Sequence, residues 1–361
     1  MRASYSKFRP MLKLRIERAP LKAAENRVIL EEYNRLTGGS IPMNEFVHWV
    51  AENPAGAAWH ALLETEEGRL VGHTSVFPLL TSFAAGAILP AKSEYSFMHE
   101  DFRREKVRHH EGAGKSAFIV ALDQLFKHCV QQGWSPIFAS TNEKNQVFTR
   151  KVGLRPLEFP LWECLLILRP AAAARSTPNL TKQQRLGMFS AGVGQAAAWS
   201  LVALLLSPQN GVSEVPVGKN GFPPENGRVA FFQDTESLEW RYLDGQYVRF
   251  EAEDAPGEYV VARRGTPSKF LRVCQWKLDS AKALPRILRA LVRQARQDRA
   301  LGVRWAVYGK EPSAELLVRR MRRAGFLCAR RTRIIMVHNK EEKFLEPSIW
   351  LMNDSLFSFD P

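Results

Sequence analysis

Between Met98 and Leu154 the sequence reads as a strand, a basic turn with two close glycines, an amphipathic helix, a second strand and a short Asn-led helix that stops at glycine. The turn is His109-His110-Glu111-Gly112-Ala113-Gly114-Lys115-Ser116. Glycines two residues apart let the main chain turn tightly and leave its N–H groups unobstructed. Those groups open the next helix at the positive end of its dipole, where a phosphate is stabilised; an ordinary glycine-containing N-cap is the other reading. The helix behind the turn is plain: Phe118, Ile119, Leu122, Leu125, Phe126 and Cys129 recur every three or four residues, and Gln131-Gln132-Gly133 closes it. This order of elements sets the class as α/β.

The flanks extend it. Leu14–Glu17 reads as a strand, Ala23–Thr37 and Met43–Glu52 as helices, Ala58–Glu64 with Leu70–Phe77 as a hairpin, and Ala91–His99 as the strand that leads to the turn. Leu161–Leu168 is a further strand, and Arg169–Pro178 has the composition of a linker. At 361 residues the chain is long enough for two domains. The second half reads hairpin (Glu258–Arg263, Lys269–Leu278), helix (Ala281–Leu301), strand (Val303–Tyr308), helix (Ser313–Ala324 before Gly325-Phe326) and strands (Leu327–Val337, Ile349–Met352). That repeats the order of the first half, without a glycine turn; Asp279-Ser280-Ala281-Lys282 stands in its place.

Between the halves, Met188–Leu206 holds no charge and approaches membrane length. Gly192, Gly194 and Gln195 and an Ala-rich middle speak against a span, so a buried linking helix over 188–206 is expected. The four cysteines are scattered in apolar runs with no C-x-x-C pair, which predicts buried free thiols in a reducing compartment. Met1–Met11 is basic without an apolar core of signal length, so the expected location is cytoplasmic, with membrane association through 188–206 the variant. No metal-ligand spacing occurs, and no metal is expected.

The charge is +14 with a pI near 9.8, which favours an anionic partner such as a CoA-like cofactor, nucleic acid or an acidic membrane surface, with an ordinary solvated surface as the other reading of its cations. They cluster at Lys282, Arg286, Arg289, Arg293 and Arg296, one stripe of a helix with no acid between 281 and 297. A tRNA acceptor stem, an acidic glycan or a phospholipid surface would suit it. No aromatic residues alternate with these cations, so a single-strand reader is not expected.

The first half resembles the GNAT (Gcn5-related N-acetyltransferase) superfamily, whose signature is a Q/R-x-x-G-x-G/A loop followed, after a helix and strand, by an Asn-led segment ending K-x-G-F. His109 takes the first loop position, and Gly112 and Gly114 take theirs. Asn142, Phe148, Lys151 and Gly153 match the second segment. Two departures stand out: Arg104–His110 is inserted before the loop, and Thr149 stands where the family often has tyrosine.

The resemblance implies two GNAT-like mixed-sheet domains in tandem joined by an apolar linking helix, as in Fem peptidyltransferases and acyltransferases linked to surface polysaccharides. The domains would be 12–170 with the acyl-CoA site, a linker over 171–227, and a degenerate copy over 228–361. It implies an acyltransferase using acetyl-CoA or another acyl-CoA and a small amine acceptor such as an amino sugar. A main-chain N–H near Met98 and His99 would polarise the thioester. His109, Gly112, Ala113, Gly114, Lys115 and Ser116 would hold the pyrophosphate, and Asn142 would bond pantetheine or cap its helix. Glu94 is the candidate base, with a salt-bridged strand carboxylate as the other reading and His99 or Glu100 as substitutes. Thr149 would stand at the position of the general acid, where its hydroxyl is far less acidic than a phenol. A Fem-like transferase using charged tRNA and a non-catalytic CoA- or anion-binding protein are the two alternatives.

Overall fold

The computed structural model describes residues 11–79, 81–82, 89–103, 105–107, 116–140, 149–177, 180–205, 212–216, 230–231, 235–242, 245–255, 257–278, 283–309 and 312–338. The first half runs β1 (Lys13–Arg18), α1 (Ala23–Thr37), α2 (Met43–Ala51), β2 (Trp59–Glu64), β3 (Leu70–Pro78), β4 (Thr81–Ser82), β5 (Leu89–Met98), α3 (Ala117–Gln131), β6 (Trp134–Ser140) and β7 (Arg155–Ile167). After α4 (Pro170–Ser176) and α5 (Lys182–Leu205) come β8 (Val212–Val215), β9 (Ala230–Phe231), α6 (Thr235–Arg241), β10 (Tyr247–Ala252), β11 (Tyr259–Arg263), β12 (Leu271–Lys277), α7 (Leu284–Gln297), β13 (Gly302–Tyr308), α8 (Pro312–Arg323) and β14 (Leu327–His338).

Local chemistry explains the element ends. The Glu25 carboxylate accepts the Lys22 N–H at 3.0 Å and closes the first turn of α1. At the other end Gly38 takes a φ of 68°, a left-handed cap that costs a glycine little.

Twelve strands form one sheet in the order β1-β2-β3-β5-β6-β14-β7-β13-β12-β11-β10-β8, and β4 pairs with β9 separately. Read from either edge, the pairings repeat: three antiparallel, one parallel, one antiparallel, then the central antiparallel pair of β14 and β7. Each half therefore lends its last strand to the other. β14 lies between β6 and β7, and β7 lies between β14 and β13. β8 falls within the expected linker 171–227, yet it pairs with β10 as the outer strand of the second half.

β7 begins at Arg155, upstream of the Leu161 expected, despite Pro156 and Pro160. Both prolines lie before Leu161, where pairing with β13 starts, so β14 is the one strand paired with β7 there among the described residues. The Pro160 carbonyl accepts the Gly309 N–H at 3.0 Å, on the side away from β14. A proline nitrogen on that side takes no bond from the ladder.

One core cluster spans both halves on the face covered by α1, α2 and α6, and includes Tyr33, Phe46, Trp49, Tyr95, Trp240 and Tyr242. On the other face α3 packs over the first half, and α7 and α8 over the second. Two expectations about the connection are corrected. The segment 169–178 contains α4, started by Pro170, rather than a bare linker. And α5 is a surface helix rather than a buried one: Leu186, Phe189, Val193 and Leu201 are exposed. It docks through its less apolar residues. A Cβ at Gly192 would come within 2.8 Å of Ile167 and Pro170. Gln195 accepts the Ile167 N–H at 2.8 Å and donates to the Gly325 carbonyl at 2.6 Å. Among the described residues no helix is long and apolar enough to cross a membrane.

Candidate active site

β5 is the strand on which the site is built. Its pairing with β6 runs as far as Ser93↔Ala139; β6 ends one residue later, at Ser140, and residues 141–148 lie outside the described residues. On its other side β5 pairs with β3, but the register jumps from Ser75↔Glu94 to His73↔Phe97. Thr74 therefore faces both Tyr95 and Ser96, a β-bulge. Tyr95 is the extra residue and adopts a φ of 53°, rare for a residue with a side chain and typical of strain held at a site. The second half has the same device: β12 pairs with β13 as far as Val273↔Trp305, and the next residue, Cys274, is the extra one opposite Val261 and Ala262.

Two buried histidines hold the first bulge. His73 Nδ1 lies 2.7 Å from the Tyr95 carbonyl oxygen, and His73 Nε2 lies 2.9 Å from His60 Nδ1. A carbonyl only accepts, so His73 carries its proton on Nδ1 and accepts on Nε2, and His60 must then donate from Nδ1. That leaves His60 Nε2 as a buried acceptor with no partner among the described residues. Burial pushes His73 down to about 4, and burial with the neighbouring His73 pushes His60 well below the ordinary histidine value.

The bulge also decides where side chains point. A strict alternation would put Glu94 with Ser96 and Met98 on one face. Instead Ser96 bonds Thr74 at 2.8 Å and Met98 packs on Gly72 and Leu63 under α3, whereas Glu94 turns to the α1 face. There Tyr33 donates to Glu94 Oε1 at 3.0 Å, and Lys92 Nζ stands 2.6 Å from Oε2. Lys92 is fully buried and the Glu94 side chain is 11% exposed. The salt-bridged reading of Glu94 thus holds as geometry, with one edge left towards solvent.

The main-chain donors separate cleanly. His99 N–H bonds the Val71 carbonyl at 2.8 Å, so it is spent on β3 and cannot serve a thioester. Met98↔Gly72 is the adjacent pair, and an antiparallel ladder turns alternate N–H groups to opposite sides. The Met98 N–H therefore points away from β3, to the side on which β5 pairs with β6 earlier along the strand. The His99 ring lies 3.5 Å from Asp101 and 3.4 Å from Arg69, at the strand's end rather than beside Glu94.

Ser116 is the N-cap of α3 and makes no side-chain cap bond; Ala117 N–H is taken by the Glu105 carbonyl at 2.8 Å. His109, Gly112, Ala113, Gly114, Lys115 and Asn142 lie outside the described residues. Thr149 opens the turn that Gly153 closes at a φ of 84°. On the basic stripe Lys282 is outside the described residues, Arg286 is paired with Asp254 from the β10–β11 turn, and Arg289 bonds the Pro285 carbonyl. Arg293 and Arg296 are exposed. Between the halves, the seam along α2 and α6 is packed shut: Trp49 and Trp240 rings meet at 4.6 Å, and His48 Nε2 lies 2.7 Å from the Trp240 carbonyl oxygen.

No family model and no curated protein matches the sequence. Solved structures do match the fold. A probable N-acyltransferase of unknown function from Enterococcus faecalis superposes with a TM-score of 0.53 at 11% identity, covering 91% of this chain and 72% of that one. A GCN5-related N-acetyltransferase from Kribbella flavida superposes with a TM-score of 0.50 at 12% identity, covering 91% and 71%. The chain has the GNAT fold. At these identities the likeness is one of fold alone. Within the GNAT fold of this chain, the end of the described β5–β6 pairing and the β5 bulge mark the wedge, towards which the Met98 N–H points. Tyr33, Lys92, Tyr95 and the His60–His73 pair escaped sequence reasoning. Only Lys92 carried a signal, a cation set two residues from an acid inside an apolar strand.

Proposed function

We propose that the chain is an acyltransferase that moves an acyl group from coenzyme A to a primary amine, and that the wedge of the first half carries the reaction. The observation behind this reading is one arrangement on β5: described pairing with β6 that stops at Ser93, a bulge just beyond it, the Met98 N–H turned to the β6 side, and the Glu94 carboxylate fixed on the same strand. The two solved structures of the same fold, described as a probable N-acyltransferase and a GCN5-related N-acetyltransferase, support the same class of chemistry. An amide-bearing pantetheine arm is chemically a short extended chain, and such chains pair with an unpaired strand edge. Residues 109–116 would then meet the pyrophosphate ahead of α3. The palindromic sheet supports reading residues 12–170 and the residues from β8 onward as two copies of one unit, of which only the first carries the glycine turn.

Each group has a definite task. Met98 N–H donates to the thioester oxygen, where negative charge grows as the amine attacks. Glu94 takes a proton from the acceptor's ammonium, directly or through one water, and Tyr33 and Lys92 fix its orientation. The new C–N bond forms, the C–S bond breaks, and the second proton of the nitrogen goes to the departing thiolate. Thr149 has too weak an acid to supply that proton, so the thiolate leaves without a protein acid. The acceptor is a small amine such as an amino sugar.

The test is release of free thiol from acetyl-CoA with a panel of amines that includes glucosamine. Glu94→Gln should lower kcat by about 10²-fold or more, the scale of a positioned base. Because it leaves Lys92 buried without its counter-charge, its melting must be followed in parallel. Tyr33→Phe, which keeps the ion pair, should lower kcat less. A folded Glu94→Gln protein with wild-type turnover would sink the assignment; cofactor binding without turnover of any amine would favour a binding protein.

A further inference from the structure

A second candidate site lies on the opposite face, where α5 crosses the end of α7. A pocket of about 420 Å³ opens there, within the size range of small-ligand sites. Arg169, Arg296 and Arg299 line it, with Ser200 and Ala196 of α5, and no acid is among the lining residues. Three guanidinium groups around one opening repel one another unless something offsets their charge.

Neutral oxygens hold these cations in place. Arg169 Nη1 donates to the Arg299 carbonyl at 2.5 Å, and Arg296 Nη2 donates to Ser200 Oγ at 3.4 Å. Among the described residues the Arg299 side chain makes no hydrogen bond or ion pair. The nearest acid in sequence, Asp298, is engaged elsewhere: its carboxylate accepts the Gly265 N–H and the Gln294 amide and lies 3.6 Å from Arg264. The charges are therefore positioned but not neutralised.

The backbone gives an independent sign. Arg299 sits at the left-handed cap of α7 with a φ of 53°, and Ala300 N–H closes the cap onto the Ala295 carbonyl at 2.8 Å. Glycine is the usual residue at such a position. A long cationic side chain held there against its own backbone preference points to a use for the guanidinium.

We propose that this pocket binds a phosphate-bearing anion, through two or three charge-assisted hydrogen bonds from Arg169, Arg296 and Arg299. It is a site separate from the wedge and independent of the acyl-transfer reading. A soluble phosphate ester and a phospholipid headgroup share this chemistry. The exposed Phe189, Val193 and Leu201 on the same helix give the lipid a surface to meet.

Two probes separate the sources: inorganic pyrophosphate in titration calorimetry, and phosphatidylcholine vesicles with and without phosphatidic acid in co-sedimentation. Arg296→Gln and Arg299→Gln should each weaken binding about tenfold or more. Arg299→Gly is the control for folding: it removes the guanidinium and relieves the cap, so binding should fall while the melting temperature stays equal or rises. Pyrophosphate binding lost in these variants assigns a soluble ligand; vesicle binding alone, lost in the same variants, assigns a headgroup. The proposal is overturned if neither probe binds, or if all three variants bind as the wild type does, which would place the anion elsewhere on this basic chain.

Discussion

At the scale of single residues, the buried histidines and the cysteines make sharp predictions. His73 is held to about 4 in the folded chain against an ordinary 6.5. Between these values the unfolded chain binds a proton that the folded one refuses, so stability is full above the ordinary value and falls as pH falls through the window. His73 alone should cost about 3 kcal/mol across it. Urea unfolding at pH 7 and pH 4 measures this. His73→Asn keeps a donor for the Tyr95 carbonyl and takes no proton, so its pH dependence should be shallower; an equal slope would contradict the tautomer chain. Cys164 and Cys328 face each other across β7 and β14. The Cys164 S–H and the Arg322 guanidinium hold the Cys328 thiol below its usual value, whereas burial pushes Cys129 up to about 12. Iodoacetamide should therefore label Cys328 well before Cys129, as peptide mass spectrometry would show; the reverse order would refute it. Neither pairing was legible in the sequence, because each joins residues from different strands, and only the register brings them together.

At the scale of elements, periodicity located the helices well. Ala23–Thr37 appears with the expected ends, and of the apolar positions named for α3 all but the half-buried Phe118 are buried. Strand ends were harder, since Pro156 and Pro160 are breakers by type and become acceptable where β14 is the one strand paired with β7 among the described residues. The bulge in β5 was invisible for the same kind of reason. Nothing in Glu94-Tyr95-Ser96 announces a left-handed tyrosine, and a strict two-residue alternation misplaced Glu94 accordingly. For α5, mean apolarity suggested burial, but the contacts run through Gly192, Gln195 and Trp199, leaving Leu186 and Leu201 outside. Gly192→Leu should thus destabilise the chain by about 1–3 kcal/mol, the cost of overpacking a closed contact. It should also speed proteolysis between α4 and α5. Unchanged melting and unchanged cleavage would mean that α5 is not docked as described.

At the scale of the whole molecule, the exchanged strands join the halves. The sequence showed the repeated order of elements but not the exchange, which depends on which edge each final strand chooses. β7 is bonded to β13 and β14 along its second part, and β14 to β6 and β7, so neither half has its own complete sheet. Cutting the chain between α5 and β8 should yield two pieces that are unfolded or insoluble alone and that form a heterodimer when co-expressed. An N-terminal piece that unfolds cooperatively by itself would contradict this. The candidate site was legible in outline, through the glycine turn and Glu94; its working geometry was not, because it rests on the bulge at Tyr95.

The central claim is that this wedge takes an acyl-CoA. Melting of the intact protein with and without acetyl-CoA tests it most directly. At a hundredfold excess over its dissociation constant a ligand adds about 2.7 kcal/mol, enough for a rise of several degrees. The account predicts that rise with acetyl-CoA at millimolar concentration. No shift there would contradict it.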